Sequence, residues 1–276
     1  MMESIQRPVY TDDERIRRVW DKEEIQNLMG RRAYYDANGM RRRELDELWV
    51  AKPENRATAS LGRNWGYYVG MDSISAYYVA RHDEARWENL RRYSQAKPEI
   101  RCCAENLGYG CMSMYTVTTP VVVIAGDGKT ARGLWYSMAQ ETTGNPDGSA
   151  EALWICEKQA VDFVNEDGQW KIWHMILAND FYSPVGKNFG DEPVYYDKDE
   201  DKLRREFGHP DIALLVHDPI FNWCDNYPPM PEEYFTYSLK DSYAPEAHPG
   251  FGKQDVIADY KKYLERARRE KDERKA

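Results

Sequence analysis

The sequence predicts an α+β fold in which a curved antiparallel sheet packs against N-terminal helices, and three observations predict it. Thr118 to Tyr136 (TTPVVVIAGDGKTARGLWY) is an apolar strand, an acidic glycine turn at Asp127-Gly128 and a second strand, the pattern of a hairpin. Ala160 to His174 (AVDFVNEDGQWKIWH) repeats that form around Glu166-Asp167-Gly168, and two tandem hairpins make a bent sheet. Upstream, the periodicity is helical: Ile25, Leu28, Met29, Arg32 and Asp36 recur at spacings of three and four and share one stripe.

In chain order, Lys22 to Trp49 reads as helix, broken at Asn38-Gly39 before a second short helix from Arg42 to Trp49. Arg56 to Leu61 and Tyr67 to Gly70 are strand-like. Asp72 is a plausible N-cap for a helix from Ser73 to about Gln95, which Pro98 closes. The long sheet region follows: Gly110 to Ala125, Thr130 to Glu141, Leu153 to Asn165 and Gln169 to Asn179, with Thr142 to Ser149 as a polar loop. Met112, Met114, Thr116 and Thr118 alternate onto one face, which predicts a core face.

Beyond Tyr182 the composition shifts. Nine prolines between Pro184 and Pro249 argue against a continuous independent domain, yet Asp211 to Trp223 is apolar and Tyr227 to Tyr243 is aromatic. A disordered tail would not carry so much burial potential. The expectation is an α+β domain over residues 1–182 and, over 183–276, an arm that wraps over that domain or a neighbouring subunit and ends in a charged helix near Lys253 to Arg269.

A formal charge of −9 argues against a nucleic-acid or anionic-membrane surface, since both need clustered Lys and Arg. The N-terminus has no apolar leader, and no run approaches the roughly 18 apolar residues of a membrane span, so a soluble cytoplasmic protein is expected. Five cysteines (Cys102, Cys103, Cys111, Cys156, Cys224) lack paired metal-site spacing and read as free thiols, so no metal is expected. Aromatic content is the outlier: 20 Tyr and 9 Trp outnumber 7 Phe, which suits a wet pocket for flat, hydroxylated ligands or, equally, a subunit interface.

Gly-Asp-Gly-Lys-Thr-Ala at 126–131 before a Trp-bearing strand, and Asp-Phe-Val-x-Glu-Asp-Gly-x-Trp-Lys-Ile at 162–172, resemble the SnoaL-like branch of the nuclear transport factor 2-like superfamily. The resemblance covers roughly Asp21 to Tyr182. It implies a cone-shaped barrel of strongly curved antiparallel sheet around helices, with a pocket open at one end and a homo-oligomer, dimer or trimer, formed through the sheet. It also implies chemistry without a cofactor: scytalone dehydratase, ketosteroid isomerase, lindane dehydrochlorinase and bile acid dehydratases eliminate or isomerise with a carboxylate or His in an apolar pocket, where desolvation moves its pKa toward neutrality.

For the carboxylate, Asp36 lies about 20° from Ile25 on the helical wheel, with Asn38 as the alternative. The chain departs from the dehydratase pattern at the histidine, since none occurs between His82 and His174. His174 is the remaining imidazole; strand alternation sets Ile172, His174 and Ile176 against Trp173, Met175 and Leu177 without saying which face lines the cone. Lys158 would stabilise an oxyanion or act as base if it faced inward, and would be solvated if outward. Asp36, Lys158, His174 and Tyr35 form the candidate catalytic set, and Tyr34, Tyr67, Tyr68, Arg101, Tyr115, Trp135 and Asn179 the candidate substrate contacts. His82 reads as solvated, and His217-Asp218-Pro219 as a turn.

The expected function is a cofactor-free lyase acting on a hydroxylated aromatic or polycyclic small molecule. The missing dyad, the many Tyr and the Lys look more like lyases that release formaldehyde from lignin-derived diarylpropanes. A dehydratase, isomerase or polyketide cyclase of the same fold, or a non-catalytic binding or assembly module, are the alternatives.

Overall fold

A computed structural model describes residues 9–144, 147–187, 209–217 and 226–253. The first helix, α1 (Asp12–Ala37), begins ten residues before the expected start at Lys22 because Thr11 and Glu14 form a capping box: the Thr11 side chain accepts from the Glu14 amide, and the Glu14 carboxylate accepts from the Thr11 amide at 2.7 Å. It ends at Asn38, with Gly39 at φ +66°. Its buried residues are Asp21, Ile25, Leu28, Met29, Arg32, Ala33 and Asp36, so the stripe faces the sheet.

Next come α2 (Arg41–Leu48) and a short α3 (Pro53–Thr58). The strand expected from Arg56 starts only at Ser60, because Pro53 at the first helical turn presets helical φ. The hairpin β1 (Ser60–Arg63) and β2 (Gly66–Val69) leads to α4 (Met71–Ser75), a π-helical turn (Ala76–Arg81) and α5 (His82–Ala96) in one run. Gly70, not Asp72, is the N-cap; Asp72 sits in the first turn.

The remaining strands are β3 (Ser113–Tyr115), β4 (Thr118–Ile124), β5 (Thr130–Gly144), β6 (Ala150–Glu166), β7 (Gln169–Pro184) and β8 (Ile212–Ala213). The sheet order is β3-β5-β6-β7-β1-β2-β8, with β4 also paired to β5. The β6–β7 turn has Asp167 at φ +54° and Gly168 at +86°, the two positive φ values of a type I′ hairpin. Two features correct the expected barrel. The sheet is open, and β1 runs parallel to β7, a pairing open to strands separated by more than a hundred residues of chain.

Two bulges decide which side chains face the helices. Cys156 pairs with Phe181 and Glu157 with Asn179, so Asp180 is an extra residue; Asp162 pairs with His174 and Phe163 with Ile172, so Trp173 is another. Strict alternation therefore fails in β7. Ile172, Met175 and Leu177 share the inner core with Ile25, Met29, Trp135, Val161 and Phe163, while Ile176 joins Tyr67, Ala160, Leu214, Val216 and Tyr243 on the outer face.

Residues from 209–217 and 226–253 cover that outer face. The amides of Gly126 and Asp127 donate to the carbonyls of Tyr234 and Phe235, and that of Val216 to Asn64. Toward β3 the outer face is open. Met112, Met114, Met138 and Trp154 are exposed there, which corrects the core face expected for Met112 to Thr118; Tyr115 and Val117 are the residues of that stretch that pack inward. The expected terminal helix beyond Lys253 and residues 218–223 of the apolar Asp211 to Trp223 stretch lie outside the described residues.

Candidate active site

Between the helices and the inner sheet face the core turns polar. On α1 and α2 stand Arg32, Asp36, Arg41 and Glu44; on β5 and β6, Ser137, Glu141, Glu157 and Gln159; on the run from the π-helical turn into α5, Tyr77, Tyr78 and His82. Register brings the strand residues together: Ser137 lies opposite Glu157, and Glu157 opposite Asn179.

Asp36 is buried, and its Oδ1 is engaged twice. Arg41 Nε donates to its Oδ1 at 2.7 Å, and the Tyr78 hydroxyl lies 3.2 Å from the same oxygen. Burial would raise its pKa, but the charges of Arg41 and Arg32 outweigh that and lower it. Tyr78 also lies 2.9 Å from Glu44 Oε2. One phenol proton cannot serve both carboxylates at once; burial raises the Glu44 pKa against the pull of Arg32, whose Nε lies 3.4 Å from Glu44 Oε1.

Glu157 is 1 % exposed, and burial raises its pKa despite Arg63 and Arg32. Its Oε1 accepts from Gln159 Nε2 at 2.8 Å, and Gln159 in turn accepts from Arg32 Nη1 at 3.2 Å. Its Oε2 is buried without a partner, as is Ser137 Oγ across the strand. Two unsatisfied polar atoms on facing residues are costly unless something else meets them. Glu141 is half-buried, raised by burial, and accepts from Tyr115 Oη at 2.6 Å. Burial also raises Tyr77, Tyr78 and Tyr115, so these phenols stay protonated donors.

Of the residues singled out from sequence, Asp36, Tyr68, Tyr115 and Asn179 meet here; Asn38 is exposed. Tyr68 stacks on Tyr77 with centroids 3.9 Å apart, and Asn179 Oδ1 is 3.5 Å from Arg63 Nη2. Trp135 is on the inner face but sealed in the apolar core. Lys158 is on the outer face, where its ammonium meets Asp180 at 3.1 Å and the Tyr227 carbonyl at 2.8 Å. His174 is there too, its Nδ1 2.9 Å from Asp162, a consequence of the Trp173 bulge. Tyr67 packs outward against Tyr227 and His248, Tyr34 and Arg101 are exposed, and Tyr35 binds Glu47 at the surface. His82 is not on a solvated face: its ring lies against Tyr77 and Tyr78. His217 binds Asp180.

Glu44, Glu141, Glu157 and Gln159 were not identified from sequence. The signal for the last two was present: Glu157 and Gln159 lie in phase with Val161 and Phe163, whereas Lys158 lies in phase with Asp162. Among the described residues no helix is long and apolar enough to cross a membrane, and no group of three or more His, Cys, Asp or Glu is placed to hold a metal.

Fold and site together define an α+β protein with a buried acid–base cluster between helices and a bent sheet. The chain belongs to the SnoaL-like domain family, which matches residues 17–176 and whose members are often enzymes. Similar solved structures include a type 2 hexachlorocyclohexane dehydrochlorinase, at 11% identity over 66% of this chain and 97% of that one, TM-score 0.42. A type 3 hexachlorocyclohexane dehydrochlorinase from Novosphingobium barchaimii shares 12% identity over 65% and 96%, TM-score 0.42. An NTF2-like protein with a cystatin-like fold from Novosphingobium aromaticivorans shares 15% over 71% and 100%, TM-score 0.38. No curated protein sequence matches the chain.

Proposed function

We propose that the protein is a cofactor-independent lyase that acts by proton transfer on a hydroxylated aromatic small molecule, with Glu157 as the proton-transfer group. The observation that carries this reading is the Glu157 carboxylate, sealed from solvent, raised in pKa and left with one oxygen unpartnered, opposite Ser137 across the strand pair. A buried carboxyl poised toward neutrality is what general acid–base chemistry at ordinary pH requires. Asp36 is ill suited to that role, because Arg41 holds it ionised and occupied; it positions Arg41 and Tyr78 instead.

A diarylpropane bearing a hydroxymethyl group and a benzylic hydroxyl fits this machinery. Glu157 takes the proton of the terminal hydroxyl, the carbon–carbon bond to that carbon breaks, and formaldehyde leaves. The freed electron pair forms the double bond of a stilbene as the benzylic carbon–oxygen bond breaks, and the departing hydroxide receives a proton from a neighbouring donor to leave as water. Tyr77 and Tyr115 are the phenols that burial keeps protonated for that task. Protons and electrons balance without an oxidant.

Purified protein, without added metal or nucleotide, is expected to convert such a substrate to stilbene and formaldehyde, and Glu157→Gln to lower kcat/KM by about 10²–10⁴-fold. No stilbene from the wild type overturns the lyase reading; full activity in Glu157→Gln overturns the role of Glu157 alone.

A further inference from the structure

One interior group has no part in that chemistry. His82 follows the π-helical turn Ala76–Arg81, an element that recurs at functional sites, and its Nδ1 lies 3.1 Å from the Tyr77 carbonyl in that turn. A carbonyl can only accept, so Nδ1 carries the proton and Nε2 carries the lone pair. Among the described residues nothing donates to Nε2. Arg41 Nε donates to Asp36, and the Tyr78 hydroxyl lies within reach of the Asp36 and Glu44 carboxylates.

The ring's surroundings are aromatic and flat. Tyr77 and Tyr78 meet it edge-on at 5.4 and 5.9 Å, and Tyr77 is itself stacked on Tyr68 at an interplanar angle of 4°. Burial and the charge of Arg41 lower the imidazole pKa to about 3, so the ring is a neutral acceptor throughout the working range. A neutral acceptor beside aromatic planes complements an aryl ring that carries its own hydroxyl proton.

We propose that His82 Nε2 accepts a hydrogen bond from a phenolic hydroxyl of the substrate, so that the site selects free phenols over their methyl ethers. This deepens the lyase reading and rests on it only for the interior being where substrate binds. An unmet acceptor in a half-buried site disfavours the ether by about 10- to 100-fold.

The test is calorimetric titration of the full chain with 4-hydroxystilbene and 4-methoxystilbene. Wild type is expected to prefer the phenol by that factor. His82→Phe, which removes the acceptor and with it the cost of leaving it unmet, is expected to abolish the preference so that phenol and ether bind alike, and His82→Gln, which keeps an accepting oxygen, to restore part of the preference. Equal binding of both ligands by the wild type, or an undiminished preference in His82→Phe, overturns the assignment. If diarylpropane turnover persists in either of those cases, the lyase reading stands without it; if neither ligand binds and no turnover occurs, both fall.

Discussion

Two buried carboxylates only a few side chains apart are driven in opposite directions, and the pH dependence of stability is expected to separate them. Glu157 has a folded pKa above its ordinary 4.5, so the folded chain holds its proton longer than the unfolded chain. Its contribution to stability is complete below about pH 4 and is lost as pH rises through the raised folded value. Glu157→Gln, which cannot ionise, is therefore expected to melt with the wild type in acid and above it at pH 7 to 8. Equal melting temperatures across that range would show that the carboxylate is not held up by burial. Asp36 has a folded pKa below its ordinary 3.8, so its contribution is present above that value and fades as pH falls through the folded one. Asp36→Asn strands Arg41 and is expected to cost about 3–5 kcal/mol near neutrality, less in acid, by urea unfolding.

At the scale of the element, β-strand irregularity does what a sequence pattern cannot announce. The helix stripe from Ile25 to Asp36 was legible because α1 is regular and one face of it packs on the sheet. The β7 faces were not, because one inserted residue reverses every side chain beyond it, and Trp173 is such an insertion. His174 is thereby carried to the outer face with Asp162, and the same register leaves Lys158 beside Asp180. Glu157, one residue from Lys158, was legible in principle from the phase of Val161 and Phe163. In β5 the Trp135 ring packs against the backbone of Gly133: a Cβ there would lie 2.2 Å from Trp135 Cη2, and that ring is buried. Gly133→Ala is expected to lower stability by about 1–3 kcal/mol, read as a reduced urea midpoint at unchanged slope.

Over the whole molecule, the sheet separates two buried polar networks, one on the helix side and one beneath residues 209–217 and 226–253. The outer network of Arg132, Asp162 and His174 is capped by backbone, since the Tyr243 amide donates to Asp162 Oδ2 at 2.7 Å and Arg132 reaches the Ser238 carbonyl. Arg132 also lies under the Tyr234 ring at 4.2 Å. The β4–β5 turn anchors this covering segment: a Cβ on Gly126 would lie 2.5 Å from Phe235 Cδ2 and 3.1 Å from its Cα. Gly126→Val is expected to loosen the segment, giving faster amide exchange at Asp127 and across 226–243 while stilbene formation is unchanged. Unaltered exchange would mean that the turn does not hold the segment, and a large loss of turnover would mean that the outer face supports the site.

What the sequence determined by itself is everything that local chemistry specifies: the capped amphipathic helix, the Asp-Gly hairpins, the position of Asp36 on the buried stripe, and the family resemblance carried by the two strand–turn–strand motifs. Tertiary structure alone decided which face each residue of β6 and β7 presents, that a proline-rich C-terminal segment rather than solvent covers Lys158 and His174, and that Glu44, Glu141, Glu157 and His82 come from four elements onto one side of the sheet. The physical reason is that capping, turns and periodicity act within a few residues, whereas bulge register and burial are set by packing across the whole sheet.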